Sequence, residues 1–256
     1  MKFNFTFSAR SLVILAMGLC FISCGSKEDP IKPETYTSFG DIKSDVDDFR
    51  TLMGPNNIND FPQPAGRREI NWDALPDSVA VPNGYNGSFF NDPANHQARG
   101  AEFTTPGTGL IICADSNNPT ATPASFGNIN SSYTAIFPTY SGERMISPTG
   151  SNVMDVRFYI PGTNTPAVVQ GVGAVFIDVD RAETSSLALF DKEENSLGTY
   201  YAPVMNEGQV FLGLLFDTPL IHHVRITLGN KPLGPNDDGN VDVSVMDDFI
   251  FTEPQP

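Results

Sequence analysis

The chain has 256 residues, with 30 Asp and Glu against 15 Lys and Arg, and a formal net charge of −15. That balance argues against a nucleic-acid binder, which needs a basic face to neutralise phosphates. It argues equally against docking on anionic lipid through a basic patch. The 22 Gly and 21 Pro exceed their combined average share of roughly 12%. They fall between strand-like apolar runs, so they read as turns rather than disorder.

Lys2 and Arg10 form a positive leader region, followed by an apolar run over 11–23. The run is shorter than the roughly 20 apolar residues that span a bilayer, so residues 1–23 are expected to be a signal peptide. Phe21-Ile22-Ser23-Cys24 resembles a bacterial lipobox, with Phe21 where Leu is usual. The resemblance implies that Cys24 is diacylated and becomes the mature N-terminus. Gly25-Ser26-Lys27-Glu28-Asp29-Pro30 resembles the stretch that follows the lipidated cysteine in surface-exported lipoproteins of some diderm bacteria. The expected location is the outer membrane, lipid-anchored and facing the cell surface. Two or three acyl chains on one cysteine give stable anchoring where one is marginal. Residues 24–38, polar and carrying Pro30 and Pro33, are expected to be a flexible tether. The remainder, 39–256, is expected to be one domain.

Cys20 leaves with the leader and Cys24 carries lipid, so only Cys113 remains. That excludes an intramolecular disulfide and a Cys-rich zinc site. Cys113 lies in an apolar run, which favours a buried small hydrophobe over a nucleophile.

The first element after the tether is a short amphipathic helix. Ser44 is its expected N-cap, Val46, Phe49, Leu52 and Met53 its apolar face, and Gly54-Pro55 its stop. From residue 79 onward the period is two. Short strands are expected over 101–104, 110–114, 133–137 and 144–147. Met154, Val156, Phe158 and Ile160 alternate with polar partners until Pro161-Gly162. Residues 172–179 and 210–216 are continuously apolar, as in strands buried on both faces. Further strands are expected over 186–190, 199–202, 221–228 and 241–246, with a last strand through Asp247 and Asp248. Around ten strands separated by Gly, Pro and Asn turns predict an all-β, antiparallel, jelly-roll-like β-sandwich with one short N-terminal helix.

Several blocks together carry a second resemblance: residues 66–73 (GRREINWD), 99–109, 147–152, 171–180 (GVGAVFIDVD) and 246–254 (MDDFIFTEP). They are similar to an uncharacterised family of exported bacterial β-rich proteins, over about residues 40–255. The resemblance implies export and one β-rich domain, and no activity. More loosely, an Asp-Asp-Phe last strand resembles jelly-roll carbohydrate-binding modules.

Two groups of residues are candidate sites. Asp178 and Asp180, two apart at a strand end, with Asp247 and Asp248 from the last strand pair, supply hard oxygens of the kind a structural Ca2+ requires. Pro235–Asp242 also looks like a calcium loop but lacks the full acidic spacing, and a hairpin turn is the plainer reading. Trp72, the only tryptophan, flanked by Asn71 and Asp73, could stack on a sugar ring or anchor the core. Arg67 and Arg68, with Glu69, could orient a ligand or pair internally. His222 and His223 would point to opposite faces of a strand, and no G-x-S-x-G, H-E-x-x-H or P-loop pattern occurs. The expected function is therefore a non-catalytic surface protein that binds glycan or another extracellular ligand. The alternatives are a concanavalin-like glycoside hydrolase, which needs two acids across a groove, and a purely structural envelope or adhesion component.

Overall fold

The computed structural model describes Met1 and residues 31–58, 61–238 and 240–256. Cys24, the expected signal peptide after Met1 and the tether up to Pro30 lie outside the described residues. In chain order the elements are β1 (Glu34–Phe39), α1 (Lys43–Leu52), β2 (Arg67–Ile70), β3 (Ala101–Thr104), β4 (Gly109–Ile112), α2 (Tyr133–Ile136), β5 (Ile146–Thr149), β6 (Val153–Phe158), β7 (Gly171–Val179), β8 (Ser186–Phe190), β9 (Ser196–Tyr201), β10 (Met205–Leu215), β11 (His223–Thr227) and β12 (Val245–Thr252). Among the described residues the strands form two antiparallel sheets, and the chain is an all-β sandwich. The larger sheet runs β1-β10-β7-β12-β5-β4, with β2 beside the second half of β12. The smaller runs β3-β6-β11-β8-β9.

The alternation seen in the sequence builds the layer between the sheets. Met154, Val156 and Phe158 of β6, with Val224 and Ile226 of β11, face Val172, Ala174 and Phe176 of β7 and Phe249 and Phe251 of β12. The other face of the larger sheet is covered as well. Val175, Ile177, Phe211 and Ile250 pack under Val46 and Phe49 of α1 and under Phe126, Tyr133 and Phe137 of the long β4–β5 connection. With apolar contacts on both faces, every residue of β7 and β12 is buried, which explains why the β7 run shows no polar alternation.

Gly173 of β7 and Gly213 of β10 are direct cross-strand partners. Together they leave a slot for two rings. A Cβ on either would come within 2.8 Å of the Phe49 ring, and within 2.8–2.9 Å of Phe211. Gly213→Ala is therefore expected to destabilise the domain by about 1–3 kcal/mol through overpacking. Urea denaturation checks this; an unchanged midpoint would mean that α1 slides away without loss.

Several elements differ from expectation. β1 occupies the end of the expected tether, because Thr35, Tyr36 and Thr37 suit a strand and pair with β10. Helix α1 starts from Ile42 rather than Ser44 and has no side-chain cap; Ile42 is fully buried, so apolar packing sets the start. Leu52 is exposed rather than on the apolar face. Residues 133–136 form one helical turn, not a strand. The Asn130 carboxamide oxygen accepts from Ser132 N–H at its start, and the Tyr133 and Phe137 rings stack at 4.3 Å. Residues 241–244 lead into β12 without joining the ladder.

Candidate functional site

β7 ends in Asp178-Val179, with Asp180 next in the chain, and Asp178 adopts φ +63°. This turn of the backbone sets the Asp178 carboxylate beside that of Asp180. A bulge in β10 between Met205 and Gln209 brings the Glu207 N–H to Asp178 Oδ1 at 2.5 Å. Asp237 arrives from the connection between β11 and β12. That connection is pinned where Tyr133 Oη donates to Gly234 C=O (2.6 Å) and Asn130 Nδ2 to Pro235 C=O (3.1 Å). One ligand atom from each of Asp178, Asp180 and Asp237 lies within 4.8 Å of the others.

Asp242 is fully buried and braces the group rather than joining it. Its carboxylate accepts from the N–H groups of Asp180 (3.4 Å) and Arg181 (3.2 Å) and from the Thr184 hydroxyl. Two oxygens of the cluster, Asp180 Oδ1 and Asp237 Oδ2, are buried with no hydrogen-bond donor. Buried acceptors without a donor are rare and point to a missing partner. The electrostatics agree. Burial, reinforced by the Asp180 and Asp237 charges, pushes the Asp178 carboxyl up to about 8 despite the Glu207 N–H. Burial likewise raises Asp237 to about 6, with the charges of Asp180 and Asp242 adding to it. Asp180 is raised by burial and then by Asp242. The three residues present the hard oxygens that Ca2+ takes, leaving further ligand positions for carbonyls or water.

Asp247 and Asp248 do not belong to this group. A bulge in β12 between Met246 and Phe249 places two residues opposite one residue of β7, so adjacent carboxylates share the outer face. Both are buried and already engaged. The Tyr140 N–H donates to Asp247 Oδ2 (2.7 Å), while Ser141 Oγ donates to Asp248 Oδ1 (2.5 Å) and Arg50 Nη2 to Asp248 Oδ2 (2.7 Å). Burial and then the Asp248 charge hold the Asp247 carboxyl well above its ordinary range. Of the four expected acids, Asp178 and Asp180 come together, joined by Asp237 rather than by the last strand; Asp247 and Asp248 instead clamp α1 and the β4–β5 connection to the sheet. Nor do these adjacent, buried acids straddle a groove as glycoside hydrolysis requires. Above the clamp lies a cavity of about 350 Å³ lined by Asp41, Lys43, Arg50, Tyr140, Ser141 and Gln209.

The expected ligand surface around Trp72 is not formed. Trp72 is 1% exposed, and Tyr85, Phe90 and Phe103 meet its ring edge-to-face at 5.3–6.0 Å. Its Nε1–H donates to the Asp247 carbonyl at 2.5 Å. No ring face is open to a sugar. Arg68 is fully buried against Glu253 through two bonds of 2.7 and 2.8 Å. Arg67 turns to Glu69 (2.6 Å) and to the Gly54 carbonyl. Asp73 accepts from the N–H groups of Glu143 (2.8 Å) and Arg144 (3.1 Å), and Asn71 alone of the five is exposed.

His222 and His223 face apart, as their adjacency in a strand requires. His222 Nδ1 meets the Ala167 carbonyl (2.7 Å), whereas His223 lies between Asp155 (2.8 Å) and Glu194 (2.9 Å). Burial opposes ionisation of Asp155, but hydrogen bonds from His223 and Arg225 outweigh it and hold its carboxyl down to about 2. Cys113 is buried, and burial pushes its thiol up to about 12, which leaves it inert.

Sequence reasoning missed Asp237 as a partner of Asp178 and Asp180. The signal was present in the calcium-like loop over 235–242, but nothing local ties that loop to the end of β7.

Fold and site together define an all-β sandwich with a carboxylate-lined corner. No family model matches the chain, and no curated protein matches it. Among solved structures it is similar to the enzymatically active domain of bacteriophage CBA120 tailspike protein 4, with 10% identity, a TM-score of 0.29, and coverage of 66% of this chain and 21% of that one. It is also similar to a two-domain protein of unknown function from Bacteroides fragilis, with 10% identity, a TM-score of 0.26, and coverage of 59% and 44%. The chain therefore spans less than half the length of either. Among the described residues no helix is long and apolar enough to cross a membrane.

Proposed function

We propose that this chain is an exported lipoprotein, anchored in the bacterial outer membrane through Cys24 and facing the cell surface. Its β-sandwich binds a glycan or another extracellular ligand without catalysis, and calcium staples one corner. The observation that carries the calcium reading is the close approach of Asp178, Asp180 and Asp237, with two buried oxygens that lack donors. A divalent cation would supply the positive charge the three acids lack and would tie the β11–β12 connection to the end of β7. The anchor rests on the leader and on Ile22-Ser23-Cys24. The cavity beside Tyr140 supports a polyhydroxylated ligand, since it joins an aromatic wall to Asp41, Lys43 and Gln209.

Thermal unfolding of the mature chain tests the calcium reading. At a calcium concentration about a hundredfold above Kd, binding adds about 2.7 kcal/mol. For a domain of this size that is a rise in Tm of roughly 5–10 °C over chelator. Asp178→Asn with Asp237→Asn removes the response. No calcium-dependent shift in the wild-type chain would overturn the staple. Glycan-array binding and radiolabelled palmitate incorporation at Cys24 test the other two parts separately.

A further inference from the structure

We infer that the free edge of β1, with the groove between β1 and α1, is a docking site for an extended, basic-and-apolar segment of another protein. This inference is independent of the calcium reading. The Gly40 N–H donates to the Gln209 carbonyl at 2.9 Å, continuing the register in which Phe39 opposes Val210. Hydrogen-bonded pairs alternate along an antiparallel ladder. Residues 34, 36, 38 and 40 therefore bond inward to β10, and the amides of Thr35, Thr37 and Phe39 point outward. All three residues are exposed, and among the described residues β1 has no second strand neighbour.

The outer sides of β4, β3 and β9 are guarded. The outer side of β4 is taken by Val81 and Tyr85, which donate to Ile112 (2.9 Å) and Leu110 (3.0 Å). Phe103 of β3 donates to Gly87 at 2.9 Å. β9 is distorted by a register shift against β8 and by Gly198 at φ +118°. β1 has six residues in unbroken register and no Lys, Pro or bulge among them. Natural proteins seldom leave such an edge open, because it templates pairing with another chain.

Chemistry beside the edge selects the occupant. The groove is lined by Tyr36, Phe49 and Leu52, with Asp45 and Asp48 on its rim. Both acids are exposed, and neither joins an ion pair among the described residues. A second copy pairing through β1 would bring like charges together on chains that each carry −15. A partner strand with alternating apolar and basic side chains meets both the ladder and the rim.

The test uses the mature chain and a fluorescein-labelled peptide of alternating lysine and valine, with alternating glutamate and valine as control. Anisotropy and hydrogen exchange are the readouts. Binding of the lysine peptide only, with new protection confined to residues 34–39, is expected. Thr37→Pro removes one outward N–H without touching the inward ladder and abolishes binding. Asp45→Asn with Asp48→Asn, on the exposed side of α1, weakens it about tenfold. Undiminished binding to Thr37→Pro, binding of both peptides, or protection elsewhere would overturn the inference. So would no binding at all, or sedimentation showing that the chain dimerises through β1.

Discussion

Arg68→Ala is expected to cost about 3–5 kcal/mol, because it strands a carboxylate in the interior. Arg68 and Glu253 are both essentially inaccessible and share two bonds of 2.7 and 2.8 Å. Glu253 also accepts from the Gln63 N–H (2.9 Å) and Asn57 Nδ2 (2.9 Å), so the pair fixes the connection between α1 and β2. With the guanidinium gone, these two neutral donors would face a buried charge. Guanidinium chloride denaturation measures the cost. The double variant Arg68→Met with Glu253→Leu should recover most of it, since paired apolar replacements remove the charge along with its partner. A single-variant loss below about 1 kcal/mol would show that water reaches Glu253 and screens it.

Trp72→Ala should be comparably severe, about 3–5 kcal/mol. The side chain fills the space between Tyr85, Phe90 and Phe103, and its indole N–H serves the Asp247 carbonyl. That carbonyl lies in the β12 bulge, where ladder bonding is interrupted and an outside donor is needed. Trp72 itself holds φ +68°, which turns the chain out of β2 and aims the ring inward. Trp72→Phe separates the two contributions. It keeps most of the apolar contact, drops the hydrogen bond, and should lose about 1–2 kcal/mol. Because Trp72 is the only tryptophan, its fluorescence reports the same site. A fully buried indole emits at short wavelength in the native chain. A red-shifted native spectrum would contradict its placement.

The central strands were legible because burial on two faces removes polar residues, as in 172–179 of β7. β1 was not, since an edge strand is half solvated and its Thr and Ser residues look like linker. Residues 133–137 misled because Tyr, Thr, Ile and Phe favour strands, whereas Asn130 starts a turn there. At the site, Asp178 and Asp180 were nominated by spacing, and the structure keeps them together with Asp237. Asp247 and Asp248 were nominated by their place in the expected last strand pair. Their separation from that group follows from a bulge that no periodicity reveals. Trp72 sits between two polar residues, and that flank hid a core anchor; a single sequence gives the neighbours of a ring along the chain, not across it.

The long β4–β5 connection has one more consequence. By lying with α1 across the outer surface of the larger sheet, it turns two layers into three on that side. Broad platform recognition, in which a polymer lies flat over many strands, is closed to that sheet. What it can still meet, it must meet along its perimeter or in the cavity beside Tyr140.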